Sequence, residues 1–488
     1  MLLSLFVAHA AETFGDRRYY LGDLHVHTGL SGDGYSSDMG GCPWEPCGSA
    51  EGVLDTAREQ GLDFVAITDH VTGGYALDDS DGFATMWERL LAGHAPDEGF
   101  VTVPGVELDV RVGDTVYGHK NVLFFGERSQ LAGLGPDDLR ASSGGEVSSC
   151  EALWAWAEER ASVLGPLLLA PHHSAPSSPQ PTDWSCHSET WQPSVEVYSE
   201  HGNSMGGDDA FDPPFNTVVT SGTVTSALEA GLKLGFHAAT DTHDSMPGDT
   251  CSTIDGDRVG GGLTVAVLDA SESFDRTPLH AALLERSSYG TSGPLVPVEL
   301  VWSAGGEVVG GLGDELELGA EGSVRVELAV PDEHAGFVSS VEVVLPDGPV
   351  ALEQATDACW SVDVSVTEHA YVRVTLDGGA WYGTETCSDG GDDTDERLWL
   401  SPSWVSLGKD TVKAHSPVLC VEDTGTVDSG GTDSPVDSPV DSPVDSPPGS
   451  SETGDPVVEE PDEGCGCGGG GLAMAWPLAL LALRRRVG

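Results

Sequence analysis

The chain has 488 residues, 39% of them hydrophobic, which is enough for two or three domains around at least one large core. Its 80 acidic residues against 21 basic ones give a formal charge of -59, a surface that repels phosphate backbones and anionic membranes and so argues against nucleic acid as a partner. The 64 glycines and 30 prolines point to many loops and to a stretch with no packed core.

The chain opens on MLLSLFVAHA, a short apolar run closing on Ala8-His9-Ala10, a small-residue pattern like a signal-peptidase site. Residues 1–13 are therefore expected to be a signal peptide. A buried first strand competes with that reading, because the run is short and lacks a basic start. Residues 19–294 alternate in texture. DFVAITDH, FVTVPGVEL, HKNVLFF, GPLLLAPHH, SVEVYSEHG and KLGFHAATDTH read as buried strands. SAEGVLDTAREQG and SSCEALWAWAEERASVLG read as helices, the first capped by Gly61. Strand–helix alternation implies βα units and a mostly parallel sheet, open to closure as a barrel. From 295 to 416, PVELVWSAGG, SVRVELAV, SSVEVVLPDG, CWSVDVSV and AYVRVTLDGG alternate apolar and polar residues between Gly, Pro and Asp, the pattern of a small all-β sandwich.

Residues 421–464 contain no Lys or Arg and carry SPVDSPVDSPVDSP, a composition that predicts a disordered, solvated stalk. Residues 465–488 join a Cys/Gly patch, an apolar run from Leu472 to Leu483 and the cluster Arg484 to Arg486. That run is shorter than the ~20 apolar residues needed to span a bilayer. The order of parts resembles the C-terminal sorting tags of myxobacterial surface proteins. The resemblance implies export, and attachment to the cell envelope through a processed tail; a short anchor held by positive charges gives nearly the same localisation. Ten cysteines show no zinc-finger rhythm. Cys42 and Cys47 are close enough for a local disulfide, and the other cysteines outside the tail read as disulfides or buried thiols of undetermined connectivity.

Metal-ligand residue types stand at the ends of the strands. His25, His27 and Asp33 follow the first, Asp69 and His70 end VAITDH, and Glu107 ends VPGVEL. His119 opens HKNVLFF, His172 and His173 end LLLAPHH, and Asp241 and His243 end FHAATDTH. In a βα barrel the strand ends converge on one site. Of the 16 histidines, only His334, His369 and His415 lie beyond residue 295, and a purely structural population would not cluster in this way.

The ordered set DLHVHT…SGDG, AITDH, PGVEL, HKNVLFF, APHHS and DTHDS resembles the polymerase-and-histidinol-phosphatase (PHP) superfamily, over roughly residues 21–293. The additional VEVYSEHG, DTHDSMPG and ERSSYGTSGP are similar to a secreted branch related to carbamate-ester hydrolases. The resemblance implies a distorted seven-stranded, TIM-like βα barrel over 19–294 holding two or three divalent metals. Carried over position by position, it implies a first metal on His25, His27, Glu107 and Asp241. Glu107 would bridge to a second metal completed by His119 and one of His172 or His173, with the choice open and leaning to His172. Asp33, His70 and His243 would hold a third.

Imidazole and carboxylate ligands suit zinc, manganese or iron, and no thiolate stands in the motifs. Such sites activate water for hydrolysis and neutralise charge on a phosphoryl or carbonyl oxygen. His201, in SEHG, is the candidate general acid or substrate contact, against an equal reading as a supporting loop histidine. Asp69 is expected to orient a ligand rather than bind metal itself. Lys120 and Arg258 are the candidate contacts to an anionic substrate, and His237 reads as a core histidine. The leading functional reading is a secreted phosphoesterase acting on a small-molecule ester. A carboxyl- or carbamate-ester hydrolase of the same fold is the alternative, because few Lys or Arg are available for a cationic pocket. A non-catalytic surface protein with a structural metal site ranks third.

Overall fold

The computed structural model describes residues 11–29, 31, 48–70, 80–92, 99–112, 115–135, 149–178, 180–209, 211, 216–250, 253–254, 257–258, 260–319, 322–377, 395–408 and 420. These all belong to one compact unit that ends at Thr424. The 421–464 stalk, the 465–488 tail, the signal peptide, Cys42, Cys47 and Asp33 lie outside the described residues.

The longer strands of the part that carries the histidines are β1 (Arg17–Val26), β2 (Phe64–Ile67), β3 (Val101–Val112), β4 (Thr115–Phe124), β5 (Leu167–Pro171), β6 (Ser194–Ser199), β7 (Gly235–Ala238), β8 (Leu263–Asp269) and β9 (Ser288–Thr291). Helices α1 (Ala50–Glu59), α2 (Ser80–Ala92) and α3 (Cys150–Leu164) intervene. Helix α1 starts where Ser49 Oγ accepts from Gly52 N and buries Ala50, Val53, Leu54 and Ala57, one helical stripe. It stops at Gly61, whose φ of 77° suits glycine. There Gly61 N bonds Arg58 O and Leu62 N bonds Ala57 O, a Schellman closure of the kind expected from the sequence. Ser149 caps α3 in the same way, and Leu153, Trp156 and Ala157 pack inward.

The sheet is mixed rather than mostly parallel. β1 pairs parallel with β2 and β2 with β3, but β3–β4, β4–β5 and β8–β1 are antiparallel. Only residues 113 and 114 separate β3 from β4, and so short a connection permits only a hairpin. The expected seven-stranded closed barrel is corrected accordingly. Among the described residues the ladder does not close, and β6 and β7 pair parallel in a separate small sheet. Single bonds still tie that sheet in: Leu169 N to Trp191 O beside β5, and Asp241 N to His25 O beyond β1 and β7. Strands β1 and β2 approach closely at Gly22, where a Cβ would lie 2.3 Å from the Phe64 ring.

Beyond residue 295 the described residues are mostly strands, with one short helix at Asp332–Ala335. Strands β10 (Glu299–Ala304), β11 (Ser323–Ala329) and β12 (Cys359–Ser365) form the centre of a five-stranded antiparallel sheet. Strands β13 (His369–Asp377) and β14 (Asp395–Leu400) do not stand apart. β14 pairs with β9, Tyr289 opposite Leu400, so the large sheet runs from the histidine-bearing strands into the β module. Asp209 reinforces the join by accepting from Arg397 at 3.1 Å and from the Trp399 indole at 2.8 Å, while Trp399 stacks on Tyr198 of β6 at 5.5 Å. Cys150 pairs with Cys186 and Cys359 with Cys420 in disulfides, with Cα separations of 5.5 and 5.7 Å.

Asp63, just before β2, fixes the β1–β2 register by accepting from Leu21 N at 2.8 Å. Burial pushes its pKa up to about 7, above the ~3.9 of an unfolded aspartate. Between those values the folded chain holds a proton that the unfolded chain releases, so this residue's contribution to stability falls as pH rises from about 4 to 7. Asp63→Asn keeps an acceptor for Leu21 N and removes the titration. Urea unfolding is expected to show parent and variant alike near pH 4 and the variant more stable at pH 8. A difference that does not change with pH would contradict this.

Candidate metal centre

Strands β1, β2, β5, β6 and β7 deliver donors from their C-terminal ends, and Glu107 comes from within β3. β1 supplies His25 and, one residue past its end, His27, which is held by His27 N to Thr242 O at 3.0 Å. β2 leads into Asp69 and His70, and Glu107 of β3 is locked beside them by Glu107 N to Asp69 O at 3.1 Å. β5 runs into His172 and His173, β6 into His201, and β7 into Asp241 and His243. The antiparallel β4 contributes His119 from mid-strand. Two donors sit in left-handed backbone, Asp241 at φ 57° and His173 at φ 31°. Such conformations cost non-glycine residues of order 1–3 kcal/mol and persist where the surroundings impose them.

Two buried aspartates set this scaffold. Asp23 accepts from His25 N, Thr240 N, Gly248 N and Thr240 Oγ1, which binds β1 to the β7 exit, and burial pushes its pKa up to about 6. Asp69 spends both carboxylate oxygens on Thr28, accepting from its N at 2.7 Å and its Oγ1 at 2.8 Å. With both oxygens engaged by Thr28, Asp69 holds the turn that follows His27.

The donor atoms assemble into overlapping groups whose members lie within 4.8 Å of one another. His25, His27, Glu107 and Asp241 form one; Glu107, His119, His172 and His173 form a second; His27, His70 and His243 form a third. Glu107 faces both of the first two with different oxygens. Its Oε2 lies 3.1 Å from His25 Nε2 and 3.3 Å from His27 Nε2, and its Oε1 lies 2.5 Å from His119 Nδ1 and 3.5 Å from His172 Nε2. Asp241 Oδ1 lies 3.1 Å from His25 Nε2, and its Oδ2 lies 3.3 Å from His201 Nε2.

Electrostatics show what the cluster lacks. Burial would raise the Glu107 pKa, yet His70 and His172, with bonds from His119 and His25, hold it well below the usual carboxylate range. Burial and the neighbouring imidazoles push His172 and His173 well below the usual histidine range. Burial pulls His25 down too, but Asp241, Glu107 and Glu196 reverse this and raise it. His172 Nδ1 and Nε2 and His173 Nδ1 are buried with no hydrogen-bond partner, an arrangement that costs stability without a further binding partner. Neutral imidazole nitrogens and carboxylate oxygens converging in this way fit divalent cations.

Of the residues expected at the site, the structure brings together His25, His27, His70, Glu107, His119, His172, His173, His201, Asp241 and His243. Both histidines of the APHHS doublet reach the second group, so neither is turned away. The side chain of Arg258 lies outside the described residues. Lys120 needs correcting as a contact for a diffusing anion. It is fully buried, its Nζ donates to Tyr117 O at 3.1 Å, and burial pushes its pKa down to about 7. Strand alternation turns it to the face opposite His119. His237 is a buried core histidine, its pKa pushed down to about 3. Glu196 and Glu200 were missed by sequence reasoning: Glu196 Oε2 lies 3.2 Å from His25 Nδ1, and Glu200 Oε1 lies 2.9 Å from His243 Nδ1. The available signal was an ionisable residue inside the apolar run SVEVYS.

No protein-family model matches the chain, and no curated protein does. A solved structure of a two-domain protein containing a predicted PHP-like metal-dependent phosphoesterase from Bacteroides vulgatus is similar at 13% identity and a TM-score of 0.38. The match covers 75% of this chain and 93% of that one. No residue assignment here rests on that likeness.

Asp69→Ala removes the acceptor of two buried bonds from Thr28, each worth about 1–3 kcal/mol where a buried donor loses its partner. Urea unfolding is expected to show a loss of about 2–4 kcal/mol, and the variant is expected to retain less metal after dialysis. Stability and metal content equal to the parent's would show that Asp69 does not set the His27–Thr28 turn.

Proposed function

We propose that the chain is an exported, surface-attached hydrolase of the PHP superfamily, dependent on two or three divalent ions and acting as a phosphoesterase. One observation carries this reading: Glu107 turns one carboxylate oxygen to each of two buried histidine groups. Six motifs in the order typical of that superfamily supply the residues. Two disulfides, Cys150–Cys186 and Cys359–Cys420, support an oxidising compartment and hence export.

His25, His27, Glu107 and Asp241 would hold one ion, and Glu107, His119, His172 and His173 a second. His70 and His243, with Asp33 as the resemblance implies, would hold a third. Bound there, the ions supply Lewis acidity and make water nucleophilic near neutral pH. The protein's own groups do the rest. His201 carries the proton: its side chain is one-quarter exposed, and Asp241 raises its pKa against the pull of burial. A protonated Nε2 there can pass its proton to the departing alkoxide as the ester P–O bond breaks, while water supplies the new oxygen on phosphorus. Asp241 steadies the ring through that cycle.

A second reading has a specific observation in its favour. Lys120 is fully buried with its Nζ donating to Tyr117 O, and the whole chain has only 21 Lys and Arg against 80 acidic residues. A phosphomonoester dianion would thus be neutralised by the ions alone, whereas a phosphodiester, carboxyl ester or carbamate asks for less positive charge.

The test uses the full chain loaded with zinc, manganese or iron, assayed on aryl phosphate mono- and diesters beside carboxyl and carbamate esters. Phosphoester hydrolysis should fall at least about 100-fold in Asp241→Asn, more than the loss of a supporting residue usually costs. His201→Ala should lose rate most on substrates with poor leaving groups. Hydrolysis of carboxyl or carbamate esters alone would establish the second reading, and no hydrolysis by a metal-loaded chain would overturn both.

A further inference from the structure

Strand β6 carries two carboxylates, four residues apart, whose partners are site histidines. Glu196 is 1% exposed, and its two oxygens divide between His25 Nδ1 at 3.2 Å and the backbone N of His173, also at 3.2 Å. Glu200, at the exit of the strand, has Oε1 2.9 Å from His243 Nδ1, and the Asp241 carbonyl lies 2.9 Å from the same nitrogen. The backbone sets this second contact too, through Glu200 N to Thr240 O at 3.1 Å. In both histidines it is Nδ1 that faces a β6 carboxylate. For His25 the opposite nitrogen, Nε2, points into the first donor group, 3.1 Å from both Glu107 and Asp241.

We propose that Glu196 and Glu200 are positioning residues that hold the Nδ1 protons of His25 and His243, presenting each Nε2 lone pair to a divalent ion. This rests on the reading that the donor groups hold such ions. An imidazole has one lone pair to give, and an acceptor fixed at Nδ1 decides which nitrogen keeps it. A carboxylate behind a ligating histidine also strengthens the donor, and its loss commonly costs 10–100-fold in metal affinity. The motif VEVYSEHG thereby acquires a physical purpose: its two glutamates back histidines of two different donor groups. Glu196 further ties its histidine to the left-handed turn at His173, so one carboxylate sets the geometry of two neighbouring donors.

The test titrates zinc into the chelator-stripped full chain against a chromophoric competitor, reading affinity and stoichiometry separately. Glu196→Ala should weaken one ion by about 10–100-fold. Glu196→Gln keeps one oxygen that can accept from Nδ1–H but loses the charge and the acceptor for His173 N, and should fall between the parent and the Ala variant. Glu200→Ala, at a partly exposed position where folding is expected to survive, should weaken a different ion and leave the first unchanged. Nitrogen-15 NMR of the zinc-loaded parent should show the proton of His25 on Nδ1. Unchanged affinities in folded Ala variants would overturn the proposal. So would a nitrogen-15 spectrum of the zinc-loaded parent that places the His25 proton on Nε2. A parent chain that binds no zinc would overturn the hydrolase reading along with it, whereas zinc binding unaffected by either glutamate would leave that reading standing.

Discussion

The carboxylate of Glu107 sits almost without solvent contact between two sets of imidazoles, and most of the surrounding architecture exists to keep it there. Its backbone N bonds the Asp69 carbonyl, its strand pairs parallel with β2, and its two oxygens look toward different histidine groups. A buried carboxylate in that position is stable only with partners that share its charge. The histidines cannot all be protonated at once, as the depressed His172 and His173 show. Divalent ions resolve the conflict better than any arrangement of protons.

The supporting shell follows the same logic one layer out. Asp23 clamps the exits of β1 and β7 to each other, and Asp69 locks the turn after His27. Left-handed backbone at Asp241 and His173 concentrates local strain where donors must converge. The β module is joined to this region by the β9–β14 pairing and by Asp209 with Arg397 and Trp399, the latter stacked on Tyr198 between Glu196 and Glu200. Packing of the module is thereby coupled to the strand that backs the site. Local strain at a functional centre, offset by packing elsewhere, is the usual pattern in enzymes.

Much of the centre was legible because metal chemistry demands particular residue types at strand ends. HVH, TDH, GVEL, PHH and DTH each place a ligand type where a strand stops, and the described donors meet as their order implied. The end of α1 at Gly61 was equally readable, since that glycine acts through local backbone bonds. Glu196 and Glu200 were not legible. A glutamate within SVEVYS reads as the polar side of an alternating strand, and only the three-dimensional neighbour at Nδ1 reveals its purpose. Lys120 misled for a related reason: adjacency to His119 in sequence means the opposite face on a strand. The open ladder among the described residues and the join of the β module at β9 and β14 depend on long-range pairing, which no local pattern encodes.

Diffraction from zinc- or manganese-loaded crystals, collected at the metal's absorption edge, tests the central claim most directly. The account predicts two anomalous peaks about 3.5–4 Å apart, with Glu107 Oε2 directed to the ion beside His25 and His27 and Oε1 to the ion beside His119 and His172. A single peak, or peaks with no Glu107 oxygen within the ~2.0–2.2 Å of a zinc–carboxylate bond, would contradict it.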